Sequence, residues 1–384
     1  MKCIACGTDN NLKARTAAGG RCKKCLHRFA FEPTRMSGHP RFTDVFFQKA
    51  IAAISVNNTL SFTTQQFCYF MNRRLQWKQL QNLRIVFLFC LCIITFVIVI
   101  YAGSLNLSIT QTVWFLALIL VLCSSIALFL WLALKQYLKA RSILSSVSLE
   151  QVHGWFHTWA GINGPVDRLL HVPTQHDVFL SSQPTTDTDI TAYSFDRLVI
   201  CQSDRIAQML IANNFHFENA CAILSVSGYP QRIFDTTLKM LRRNPALQVY
   251  TFHDCDYEGI SLAHKMRNDP QWFPDEGITI VDIGLLPRQI LAAKSNIFVQ
   301  EDKTAINVTK RLEPAVRKGL SEAERRWLDA GNFVELESFT PKKLIRVLQQ
   351  GIARSQQISS EGDSLLLLNE TSGGGLLYTV DSFG

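Results

Sequence analysis

The sequence predicts a multi-domain fold: an N-terminal zinc ribbon, a two-helix transmembrane hairpin, and a C-terminal α/β domain with a mostly parallel sheet. Three observations predict it. Cys3-x-x-Cys6 and Cys22-x-x-Cys25 set four thiols in two close pairs, and the runs 85–102 and 113–134 are long, apolar and uncharged. Between residues 198 and 283, β-branched runs alternate with amphipathic stretches, the pattern of strands paired in parallel and covered by helices on both faces.

In order, the expected segments are a zinc ribbon (1–35), a small helical, winged-helix-like region (36–84), the hairpin (85–134), juxtamembrane helices and a linker (135–194), the α/β domain with a helical extension (195–354), and a loosely ordered tail (355–384). In the ribbon, four thiolates around zinc substitute for the hydrophobic core that so short a segment lacks. By spacing alone, two disulfides or a rubredoxin-type iron site are the alternatives. The other seven cysteines are scattered and imply no disulfide framework. Next, Asp44 caps one helical pattern and Thr63 or Thr64 a second.

Each apolar run is near the roughly 20 residues that cross about 30 Å of hydrocarbon. Arg73, Arg74, Lys78 and Arg84 precede the first, Lys135, Lys139 and Arg141 follow the second, and residues 103–112 carry no charge. The chain is expected in the cytoplasmic (inner) membrane, the positive-inside rule then puts both termini in the cytoplasm, and no signal peptide is expected. His153, His157 and His171 follow, reading as interfacial residues rather than as a metal set.

The net charge of +8 is unevenly placed: residues 1–84 hold fourteen Lys and Arg against three acids, and the remainder holds 25 against 28. The basic amino-terminal segment suits nucleic acid or an anionic lipid surface. Lys239, Arg242 and Arg243 form a small basic cluster late in one helical stretch, a candidate nucleic-acid contact. There is no P-loop, GxSxG, HExxH or internal repeat, which argues against P-loop NTPases, α/β-hydrolases and zincin proteases.

Residues 248–267, QVYTFHDCDYEGISLAHKMR, combine a short strand, Asp254 and Asp256 at i and i+2, and Gly259 at a helix start. This stretch resembles the Asp-x-Asp-x-x-Gly signature of TOPRIM domains, above all in topoisomerase VI A subunits and the related meiotic double-strand-break proteins. Residues 197–210 resemble the family's first strand and helix, and residues 224–230 its Gly-Tyr-Pro connection; the likeness spans about 195–283. It implies that Asp254 and Asp256 hold Mg²⁺ against a phosphodiester. The Glu that the family carries at the end of its first strand falls on Cys201, with Gln202 next, and Asp204 is the candidate replacement. Residues 63–74, TTQQFCYFMNRR, are similar to the segment bearing the family's catalytic tyrosine, which puts Tyr69 in its place and Gln65 where the family has Arg.

The function expected is that of a membrane-anchored, TOPRIM-like, nucleic-acid-related protein with reduced catalysis. The alternatives are an active Mg²⁺-dependent DNA-cleaving or topoisomerase-like enzyme, and a membrane-tethered protein-interaction module. DNA and a second protein subunit are the soluble partners that the resemblance implies.

Overall fold

A computed structural model describes the chain except for residues 37–39, 76–146, 174–194, 244–246, 270–271, 274–278, 294–296, 303, 305–306 and 361–384. Backbone contacts divide the chain into two units. One comprises Met1–Ser37, Arg41–Phe70 and Leu149–Gly384; the other comprises Gly38–Pro40 and Met71–Ser148, most of which lies outside the described residues.

The first unit is built on a parallel sheet whose strands lie in the order Cys221–Ser225, Arg197–Cys201, Gln248–Phe252, Ile280–Asp282. Strand alternation sends Leu198 and Ile200 to one face and Val199 and Cys201 to the other, and both faces are buried. Leu198 and Ile200 pack with Leu238 and Leu241 of helix Gln231–Arg243 and with Met266 of helix Leu262–Arg267. Val199 and Tyr250 pack with Ile206 and Leu210 of helix Asp204–Ala212 and with Leu344, Val347 and Leu348 of helix Pro341–Ser360. Burying side chains of this size contributes about 1.5–3 kcal/mol each.

A second cluster is aromatic. Phe47 of helix Asp44–Ile54 meets Phe31, Phe67, Phe156 and Trp159, ring centroids 4.8–5.6 Å apart. It is joined to the α/β layer by the Asn213 amide, which accepts from the Ser61 N–H and donates to the Ser61 carbonyl.

The expectation of a transmembrane hairpin is corrected. Among the described residues no helix is long and apolar enough to cross a membrane. The longest, Pro341–Ser360, carries Lys342, Lys343, Arg346 and Arg354 along 20 residues, and each such charge opposes insertion by about 2.5–3.5 kcal/mol. The two apolar runs lie outside the described residues. The transmembrane element of the fold class, the two-span membrane partner and the inner-membrane location are therefore not carried forward.

Candidate functional site

Two clusters of chemically active side chains occur in the first unit. At the N-terminus, Cys3, Cys6, Cys22 and Cys25 lie close together and can bind a metal ion, their sulfurs all within 4.8 Å of one another. Two of the separations, Cys3 to Cys25 and Cys6 to Cys22, are 3.6 Å. That is far beyond a disulfide bond, and near the ~3.8 Å separating thiolates tetrahedrally placed ~2.3 Å from zinc. The two knuckles share one backbone. The Cys3 N–H donates to the Thr8 carbonyl and Gly7 N–H to Cys3; the Cys22 N–H donates to His27 and Leu26 N–H to Cys22. Bridges Lys2–Asp9 and Arg21–Arg28 close both turns, a duplication shifted by 19 residues that the divergent side chains conceal. N–H groups of Cys25 and Lys24 aimed at Cys22 favour its thiolate and bring it down to about 6.

The second cluster lies at the carboxyl ends of the two central strands. Past Phe252 the chain continues through His253, Asp254, Cys255 and Asp256; past Cys201 it continues to Gln202. Gln202 Oε1 accepts from the Asp254 N–H at 2.9 Å, and its Nε2 donates to both Asp256 carboxylate oxygens at 3.1 and 3.2 Å. Asp256 caps helix Tyr257–Ile260, accepting from the Gly259 N–H at 2.6 Å. Only glycine fits there, because a Cβ on Gly259 would stand 2.2 Å from the Asp254 carbonyl oxygen.

A distant segment closes over the turn. Cys255 and Val334 exchange both backbone hydrogen bonds, and the Leu336 N–H donates to Asp254 Oδ1 at 2.6 Å. This pairing delivers Glu335 and Glu337. Glu335 accepts the Tyr69 hydroxyl at 2.6 Å, and that hydroxyl also receives Gln300 Nε2 at 2.6 Å and Gln65 Nε2 at 3.3 Å. Glu337 accepts from Thr63 at 2.6 Å and meets the Arg205 guanidinium at 3.4 Å.

Electrostatics follow from this crowding. Burial, together with the negative charges of Asp256, Glu335 and Glu337, pushes the Asp254 carboxyl up to about 7 despite the Leu336 N–H. Burial and the Glu335 carboxylate also push the Tyr69 phenol well above its ordinary value. Beneath the turn, His253 Nδ1 donates to the Asp254 carbonyl oxygen at 2.7 Å, and Nε2 meets Asp282 Oδ1 at 2.9 Å. Burial disfavours its charged ring, yet Asp282 holds it up to about 9.

The structure thus brings Asp254, Asp256 and Tyr69 into one neighbourhood, and it separates other candidates from them. Asp204 is taken by the Ser227 hydroxyl at 2.5 Å. Among the described residues the four cysteines are the only group of three or more potential metal ligands, so Asp204 completes no carboxylate set with Asp254 and Asp256. Cys201 is buried in the core and Gln202 is the side chain that reaches the aspartates. Lys239 is exposed, and the side chains of Arg242 and Arg243 lie outside the described residues. His153, His157 and His171 are exposed and form no such group. The sequence reading missed Glu335 and Glu337, although they repeat the i, i+2 acid spacing of Asp254 and Asp256 just after strand Asn332–Phe333. No protein-family model matches the chain, and no curated protein matches it.

Proposed function

We propose that this chain is a nucleic-acid-binding protein of TOPRIM type, resembling topoisomerase VI A, that uses Asp254 and Asp256 to take Mg²⁺ or Mn²⁺ against a phosphate and turns over weakly or not at all. The four thiols take zinc, the ion that suits a closed all-sulfur tetrahedron in a small structural module. The observation that carries the reading is the meeting of Tyr69 with Glu335, on the segment paired to Cys255 between the two aspartates. Asp254 feels the charges of Asp256, Glu335 and Glu337, while the Arg205 guanidinium pairs with Glu337, and carboxylates gathered in this way attract a hard divalent cation.

Two features argue against efficient cleavage. Gln202 offers an amide where a third carboxylate would strengthen metal binding. Around the Tyr69 hydroxyl the donors are the neutral amides of Gln65 and Gln300, which stabilise a phosphoryl transition state less than a guanidinium does. A second reading, an active tyrosine nuclease, is favoured by one contact: Glu335 is placed to accept the phenol proton at 2.6 Å.

Calorimetry of the full chain with Mn²⁺, beside Asp254→Asn and Asp256→Asn, tests the site. Saturable heat lost in both variants is expected, and equal negligible heat in all three would overturn the reading. Nicking of supercoiled plasmid by wild type but not by Tyr69→Phe would replace it with the nuclease.

A further inference from the structure

The two knuckles of the ribbon have the same backbone and different charge. Aligned on the 19-residue shift, Lys2, Ile4, Ala5 and Asp9 of the first correspond to Arg21, Lys23, Lys24 and Arg28 of the second. Across the first turn Lys2 stands opposite Asp9, which also holds the N-terminal ammonium at 2.8 Å. Across the second, Arg21 stands opposite Arg28, a like-charge cross-strand pair that destabilises a turn left to itself. All four cations of the second knuckle are exposed, none makes an ion pair with a described residue, and no acid lies between positions 21 and 28. Four thiolates around a divalent ion would leave two negative charges, so half of this positive charge is surplus.

We propose that the second knuckle is a binding surface for the phosphate backbone of a nucleic acid, with Arg21 and Arg28 each contacting a phosphate and Lys23 and Lys24 adding charge between them. Guanidinium pairs suit phosphate because their forked donors match its oxygens. The like-charge strain across the turn is relieved when an anion lies between the arms. This placement rests on the nucleic-acid reading above only for the identity of the polyanion; the charge asymmetry is independent of Asp254 and Asp256.

The test follows binding of the full chain to a fluorescein-labelled DNA duplex from about 50 to about 200 mM salt. Arg21→Gln with Arg28→Gln should weaken binding several-fold and flatten the slope of log affinity against log salt by about 2. Lys2→Gln with Lys13→Gln, an equal charge loss elsewhere on the ribbon, should leave the slope close to wild type, and Arg21→Lys with Arg28→Lys should retain it. Metal content of every variant, read by mass spectrometry, reports an intact ribbon. Equal flattening by both Gln pairs, or no change by either, overturns the proposal. Retained duplex binding with lost binding to phosphatidylserine vesicles also overturns it, in favour of a lipid surface. Failure of wild type to bind the duplex sinks this surface, while Mn²⁺ calorimetry judges the acidic cluster separately.

Discussion

Asp254 sets how the acidic cluster responds to pH. Its carboxyl, raised to about 7 by burial and by neighbouring carboxylates, keeps a proton that a divalent cation must displace. Mn²⁺ affinity should therefore rise about tenfold per pH unit below about 7 and level off above it; affinity that is flat from acid to neutral pH in calorimetric titrations would contradict this. His253 and Asp282 act in the opposite sense. The ring's value is raised from 6.5 to about 9, so the pair's stabilisation is fully present below about pH 6.5 and is lost as pH climbs through about 9. Asp282→Asn should cost about 3 kcal/mol near pH 6, by leaving a buried ring without its anion, and should flatten the decline between those limits. Urea unfolding of both proteins across that range measures it. Neither effect was legible in the sequence, since both depend on residues 29 to 83 positions apart being brought into contact.

At the scale of elements, the turn between strand Gln248–Phe252 and helix Tyr257–Ile260 was readable: β-branched and aromatic residues, then acids, then glycine, gave strand, loop and capped helix start. Gly259→Ala should disrupt it, because the added Cβ meets the Asp254 carbonyl oxygen, a backbone atom that cannot swing aside. We expect loss of Mn²⁺ binding with the thiol cluster's metal content unchanged; a variant that titrates like wild type would show that the turn tolerates displacement. What the sequence concealed was pairing. Strand Asn332–Phe333 is two residues long, and the Cys255–Val334 bridge joins segments 79 positions apart, so no local periodicity announced Glu335 and Glu337 as neighbours of Asp254. The knuckle duplication was hidden for a related reason. Hydrogen bonds in the backbone repeat while side chains do not, and even the positive-φ turn residue changes from Gly7 at 70° to Leu26 at 58°. Leu26 is exposed and pays a left-handed penalty of about 1–2 kcal/mol. Leu26→Gly should raise the thermal stability of the metal-loaded ribbon, and an unchanged or lowered midpoint would refute that strain.

For the first unit as a whole, the question is how far a metal held by the four thiols would support the rest. The ribbon's own buried apolar contacts are few, limited to Cys3, Cys22 and Phe29 with Met1 and Cys6 against them, so an ion held by the four thiols would carry much of its order. Its exit is fastened differently. The buried Asp44 carboxylate accepts from the Ala30 and Phe31 N–H groups at 3.0 and 2.7 Å, and Phe31 packs on Phe42, Phe47 and Trp159. The parallel sheet has separate cores on its two faces, and neither includes a ribbon residue. Chelation should therefore unfold the chain in part. Hydrogen exchange on the full chain should show amides of residues 1–29 losing protection with chelator, residues 30 and 31 losing less, and strands Arg197–Cys201 and Gln248–Phe252 keeping theirs. Loss of protection throughout the sheet would mean that the thiol cluster stabilises the whole unit, and the aromatic fastening at Phe31 would then be a route of coupling rather than a boundary.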